Sequence, residues 1–158
     1  MKSRLQNKIV LITGASSGIG AATAKEFANE GAMVLLVARN ETKLKIVVGE
    51  IIEKGGKATY FLADVSNFKV VQQLAEKVKA EIGVPDIIVN NAGQGVWKFM
   101  DETAYEEVSE MMAVPYFASF YMTKAFLPEM QKRNSGHIVN TTSYAGFIAF
   151  SGATAYIA

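Results

Sequence analysis

Two stretches of this chain carry residues whose types and spacing could do chemistry. The first is TGASSGIG, residues 13–20, with glycines at 14, 18 and 20 between an apolar run and a helical pattern. Gly14 permits a tight turn out of a strand. Gly18 lets the backbone approach a diphosphate, and Gly20 lets a helix pack closely on a sheet. Free N–H groups at a helix start, together with the helix dipole, favour a diphosphate there. No phosphate-loop lysine follows, and a purely structural turn is the alternative for the glycines alone. The second stretch is SGATAYIA, which holds Tyr156. A phenol followed by three residues and a lysine is a known proton donor, and the sequence given has two residues after Tyr156. Tyr156 is either half of a proton-transfer pair or an aromatic anchoring a helix start near Phe147 and Phe150.

Composition removes several other chemistries. The 158 residues suggest one domain, and 50% of them are apolar, enough for a sizeable core. Sixteen basic and fifteen acidic residues give a net charge of +1, which makes no case for nucleic acid or an acidic membrane surface. The absence of cysteine excludes disulfides and thiolate metal sites and fits a reducing compartment, so a cytoplasmic location is expected. A single histidine, His137, argues against a histidine metal site or a Ser-His-Asp triad, and no metal is expected. No run reaches the roughly 18 apolar residues that suggest a membrane span. The nearest, MMAVPYFASFYM, is broken by Pro115 and reads as a buried helix.

The elements that must position these residues follow from periodicity. KIVLITG, MVLLVA, ATYFLA, PDIIVNNAG and GHIVNTTS read as five strands, several of them buried on both faces, with His137 opening the fifth. Between them lie helical patterns. The first places Ile19, Ala22, Ala24, Phe27 and Ala28 on one face; the third has Asn67 as its cap; the last is long, from about Thr103 to Lys132. Strands alternating with helices predict a doubly wound α/β fold with a parallel sheet and ligands beyond the carboxyl ends of the strands.

TGASSGIG, NNAG and a serine thirteen residues before a tyrosine, in that order, make the chain resemble the classical short-chain dehydrogenase/reductase family from Lys8 to Ala158. The resemblance implies a Rossmann dinucleotide-binding domain over residues 1–158, incomplete at its C-terminus and truncated after the fifth strand. It implies cofactor contacts from Gly14, Ser16, Ser17, Gly18, Ile19, Gly20, Asp64, Val65, Asn91, Ala92 and Gly93. Asp64 would hold the adenine amino group, though an aspartate after a strand is also a common turn residue. Asn90 would tie neighbouring strand ends together.

The second strand ends in VARN, where a site selecting NAD generally places a carboxylate for the ribose hydroxyls. Arg39 suits a 2′-phosphate instead, which predicts NADP(H). The alternative leaves Arg39 as a solvated charge and gives the ribose to Glu41. By resemblance, Ser143 would hydrogen-bond the substrate oxygen, with Thr141 and Thr142 as neighbouring alternatives. Tyr156 would be the general acid in carbonyl reduction and the base in alcohol oxidation. A free phenol titrates near pH 10, and an adjacent ammonium favours the phenolate. The family lysine that supplies this charge would be residue 160, past the last residue given.

A second departure lies in the long helix. The family usually has an asparagine in the stretch matching MMAVPYF, and this sequence has Pro115. Proline removes a helical N–H and presses on the carbonyl of Met111, so a kink is expected there. Met111, Met112, Tyr116, Phe117 and Phe120 are expected in a core or a subunit interface. Trp97 falls in the loop after NNAG, where substrates often pack.

The leading expectation is an oxidoreductase moving hydride between NADP(H) and a small-molecule carbonyl or secondary alcohol, forming a homo-oligomer when complete. The alternatives are a non-catalytic NADP(H)-binding protein and an inactive fragment of a longer dehydrogenase. The 158-residue chain alone is expected to be nearly inactive.

Overall fold

The computed structural model describes residues 4–148, 151–153, 155 and 156. Five parallel strands form one sheet in the order β3-β2-β1-β4-β5. They are β1 (Ile9–Thr13), β2 (Met33–Ala38), β3 (Lys57–Leu62), β4 (Ile87–Asn90) and β5 (His137–Asn140). The helices between them are α1 (Gly18–Asn29), α2 (Glu41–Glu53), α3 (Phe68–Glu81), α4 (Tyr105–Met112) and α5 (Ala118–Lys132). The strand order reverses at β1 and β4, which places a crevice above their carboxyl ends.

Successive strand residues point to opposite faces, and both faces are covered. Leu11, Leu35, Val37 and Ile88 pack against Val71, Leu74 and Val78 of α3 and Met122 and Phe126 of α5. Val10, Ile12, Val34, Leu36 and Val89 pack against Ala21, Ala24 and Ala28 of α1 and Leu44, Val47 and Ile51 of α2. Two-sided burial is the reason β1 and β2 read as unbroken apolar runs.

The buried face of α1 differs from the expected one. Gly20, Ala21, Ala24 and Ala28 face the sheet, whereas Ala22 is exposed and Ile19 is 68% exposed. A Cβ on Gly20 would meet the Gly14 carbonyl oxygen and lie 2.6 Å from Asn91 Nδ2. The helix approaches so closely that only glycine and alanine fit beneath it, and the larger Ile19 is turned outwards.

Where a kink was expected at Pro115, the long helix carries a π-turn over Ala113–Phe117 between α4 and α5. The Ser119 hydroxyl donates to the Pro115 carbonyl at 2.8 Å. Of the five apolar residues assigned to core or interface, Met111 is buried, Met112 is half-buried, and Tyr116, Phe117 and Phe120 are exposed, so this stretch is not the fully buried helix expected. No helix among the described residues is long and apolar enough to cross a membrane.

Candidate active site

The crevice above the sheet is a cleft of about 1080 Å3. Its walls bring together Ile19 from the first turn of α1, Asn91–Gly93 after β4, and Ser143 after β5. Tyr156, Trp97, Pro115 and Ser119 are among its other walls, so residues up to 137 positions apart share one cavity. Thr141 and Thr142 line it too.

The floor is a network of polar groups around the strand ends. The Thr13 hydroxyl accepts from the N–H groups of Asn91 and Ala92, each at 3.0 Å, and Asn91 Nδ2 donates to the Thr13 carbonyl at 3.1 Å. These bonds hold the β4 turn against the glycine turn. Gly14, at φ +66°, is required on two counts: its backbone is left-handed, and a Cβ there would lie 2.9 Å from Ala92 Cα. Asn90, 2% exposed, donates to Asn140 Oδ1 at 2.8 Å and Thr123 Oγ1 at 3.2 Å. It therefore ties β4 to β5 and α5, the structural role expected of it.

The glycine turn fits a dinucleotide diphosphate. Gly18 has φ +54° and open space where a Cβ would project, so a ligand could lie against its backbone. Asn40 and Asn67 cap α2 and α3 with their side chains, but Ser17 makes no such bond to α1. The first N–H groups of α1 are thus left to an anion. No acidic side chain sits in its first turn to oppose one.

At the end of β2, Arg39 is exposed and makes no hydrogen bond or ion pair with any described residue. Glu41 is committed elsewhere: its carboxylate pairs with Lys45 at 2.9 Å and accepts from the Tyr60 hydroxyl at 2.9 Å. The Lys45 bond, then Tyr60, holds its carboxyl below the ordinary value. Asp64 follows β3, and its Oδ1 accepts from the Ser66 amide at 3.0 Å and hydroxyl at 2.7 Å. Partial burial pushes the Asp64 carboxyl up. The two Ser66 bonds and the Arg39 charge outweigh this and leave it lowered. The neighbouring Val65 is buried in the α3 side of the core.

Tyr156 is seated by residues that sequence reasoning passed over. A Cβ on Gly95 would lie 2.7 Å from Tyr156 Cε2, so the phenol ring rests on that glycine. The Trp97 ring stands 6.1 Å away, tilted by 32°. A backbone bridge between Lys98 and Ala153 holds the two segments together. Lys98 also pairs with Glu107, whose carboxylate accepts from the Ala104 N–H at the start of α4. Phe147, offered as an alternative neighbour, is 80% exposed, and Phe150 lies outside the described residues. The Ser143 side chain accepts from the Ala145 N–H at 3.1 Å, which orients it at the mouth of a short 3₁₀ turn. Gly95 carried no sequence signal beyond being small.

A family model described as short chain dehydrogenase matches residues 8–158. The chain belongs to the short-chain dehydrogenase family. Among similar family members, the fatty acyl-CoA reductase of Acinetobacter baylyi is 34% identical over 159 aligned positions, covering 99% of this chain and 54% of that protein. Human estradiol 17-beta-dehydrogenase 11 is 39% identical over 155 residues, covering 98% of this chain and 52% of that protein. The chain thus spans about half the length of these curated relatives. A metagenomic short-chain oxidoreductase in complex with NADP superposes with a TM-score of 0.92 at 36% identity, covering 97% of this chain and 70% of that one. An NAD+-bound xylitol dehydrogenase gives 0.92 at 30% identity, covering 98% and 60%. The family therefore includes both nicotinamide dinucleotides among its solved structures, and the parallel sheet with flanking helices is common to them.

Proposed function

We propose that this chain is the cofactor-binding and proton-donating part of an oxidoreductase that moves hydride between NADP(H) and a carbonyl or secondary alcohol. One observation carries the reading. Ser143 and Tyr156 share a single cleft with the glycine-turn residue Ile19 and with Asn91–Gly93. Gly14, Ser16, Ser17, Gly18 and Gly20 would shape the diphosphate cradle, Asp64 and Val65 would border the adenine, and Asn91–Gly93 would border the nicotinamide ribose. The bound nicotinamide supplies or accepts the hydride. Ser143 donates a hydrogen bond to the substrate oxygen and fixes its position. Tyr156 gives that oxygen a proton in reduction and removes one in oxidation. Gly95 and Trp97 hold the phenol ring, so its hydroxyl meets the oxygen with little reorganisation. Tyr116 and Phe120 border the cleft, and the exposed Phe117 beside them gives the long helix an apolar patch for a homo-oligomer.

NADP(H) is preferred because Arg39 is free for a 2′-phosphate while Glu41 is held by Lys45 and Tyr60. A charge-assisted bond contributes about 1.5–3 kcal/mol, so the preference over NADH should be roughly ten- to a hundredfold. Fluorescence titration of wild type and Arg39→Ala with NADPH and NADH tests this. The variant should lose most of the preference and keep its NADH affinity. Equal wild-type affinities would defeat the assignment. A preference surviving the substitution would move it to another residue.

The π-turn at Pro115 places a break where the family carries asparagine. The break is made by the backbone and closed by the Ser119 hydroxyl on the Pro115 carbonyl. Pro115→Asn should therefore change turnover little, by about threefold or less, since that corresponds to under 1 kcal/mol. A large rise would show that the asparagine side chain itself is wanted. A large fall with unchanged folding would give proline a role of its own.

A further inference from the structure

A groove between α1 and α2 opens onto the glycine turn. It holds about 380 Å3 and is lined by Ser16, Ser17, Gly18, Lys25, Lys43 and Glu50, among others. Its charges are unevenly matched. Lys25 is paired with Glu50, and Lys45, on the same helix as Lys43, is paired with Glu41. The Lys43 ammonium has no hydrogen bond or ion pair with any described residue.

Lys43 also stands where a lysine is disfavoured. It is the third residue of α2, with its backbone N–H donating to the Asn40 cap at 2.9 Å. A cation in the first turn opposes the helix dipole. Arg39 lies directly before that cap. The same end of α2 thus carries two cations that form no ion pair with a described carboxylate, and Lys43 shares its groove with Ser16, Ser17 and Gly18 at the uncapped start of α1.

We propose that Lys43 is a second specificity determinant for the 2′-phosphate of NADP(H). It would approach the phosphate from the α1–α2 groove while Arg39 approaches from the end of β2, with the Ser16 and Ser17 hydroxyls at the groove mouth. The inference rests on the NADP(H) reading above. A phosphomonoester carries about −1.5 to −2 charges near pH 7, so it can satisfy two cations. A ribose hydroxyl satisfies neither. The phosphate would give Lys43 an anionic partner that no described residue supplies.

The test measures dissociation constants for NADPH, NADH and 2′,5′-ADP with wild type, Lys43→Gln, Lys43→Arg, Arg39→Ala and the double variant Lys43→Gln/Arg39→Ala. Lys43 is exposed, so these side chains are accommodated without repacking. Lys43→Gln should weaken NADPH and 2′,5′-ADP by about five- to tenfold, allowing for solvent screening. NADH should change less than about twofold, and Lys43→Arg should retain wild-type affinity. The salt dependence of 2′,5′-ADP binding should be shallower in Lys43→Gln than in wild type. An equal loss for NADPH and NADH, or no loss for either, would reduce Lys43 to a solvated surface charge. A wild type that does not prefer NADPH would instead defeat the underlying NADP(H) reading. A preference abolished by Arg39→Ala but untouched by Lys43→Gln would overturn the Lys43 inference alone.

Discussion

Tyr156→Phe should lower turnover by about 10²–10⁴, the usual worth of a positioned acid–base group, while leaving cofactor affinity unchanged. The substitution removes one oxygen and keeps the ring that rests on Gly95 and faces Trp97. Folding and the shape of the cleft should therefore survive, and the loss should fall on kcat. The assay belongs in a chain continued through the rest of the proposed domain, with NADPH and a panel of ketones. The 158-residue chain measured beside it should be near background. It spans about half of its curated relatives, and the proton donor works best with a cation beside it and a positioned substrate. Robust turnover by Tyr156→Phe in the extended chain would make Tyr156 an aromatic anchor and nothing more.

The second large effect should appear at Gly20. Its added Cβ would meet the Gly14 carbonyl oxygen and the Asn91 side chain, and the latter is held by its bond to the Thr13 carbonyl. Overpacking of this kind costs about 1–3 kcal/mol, and Gly20→Val should lie at the top of that range or above it. It should also weaken NADPH, because α1 cannot move outwards without opening the diphosphate cradle. Gly49 supplies the contrast. It lies within α2, and a Cβ there meets nothing within 4 Å. Gly49→Ala should raise stability by about 0.5–1 kcal/mol through helix propensity alone. Urea unfolding midpoints of the two variants decide the matter. A Gly20→Val protein as stable as wild type would mean that α1 is not pinned against the sheet.

Much of the architecture was legible in the residues because it is periodic and local. The apolar runs at β1 and β2 could be buried only on both faces, and the helices between them fixed a parallel sheet. Asn67 announced its cap by type and position, and His137 opened its strand as read. Pro115 announced a break because its ring chemistry acts on its own neighbours. The glycine turn was readable for the same reason: its meaning lies within eight consecutive residues.

What the sequence left open depends on partners distant along the chain. The face of α1 that is buried was decided by how closely the helix meets the sheet, and that distance is set by Gly14 and Asn91 rather than by the helix's own periodicity. The commitment of Glu41 to Tyr60 could not be read from the sequence, because Tyr60 is its neighbour only through the folding of β3 beside β2. The seat of Tyr156 is made by Gly95 and Trp97, some sixty residues earlier, and a bare glycine gives no hint of the ring it will carry. Local chemistry wrote the elements and the turn. Only the long-range packing of strand ends could decide which side chains share the cleft, because steric fit and charge pairing are properties of distance in space.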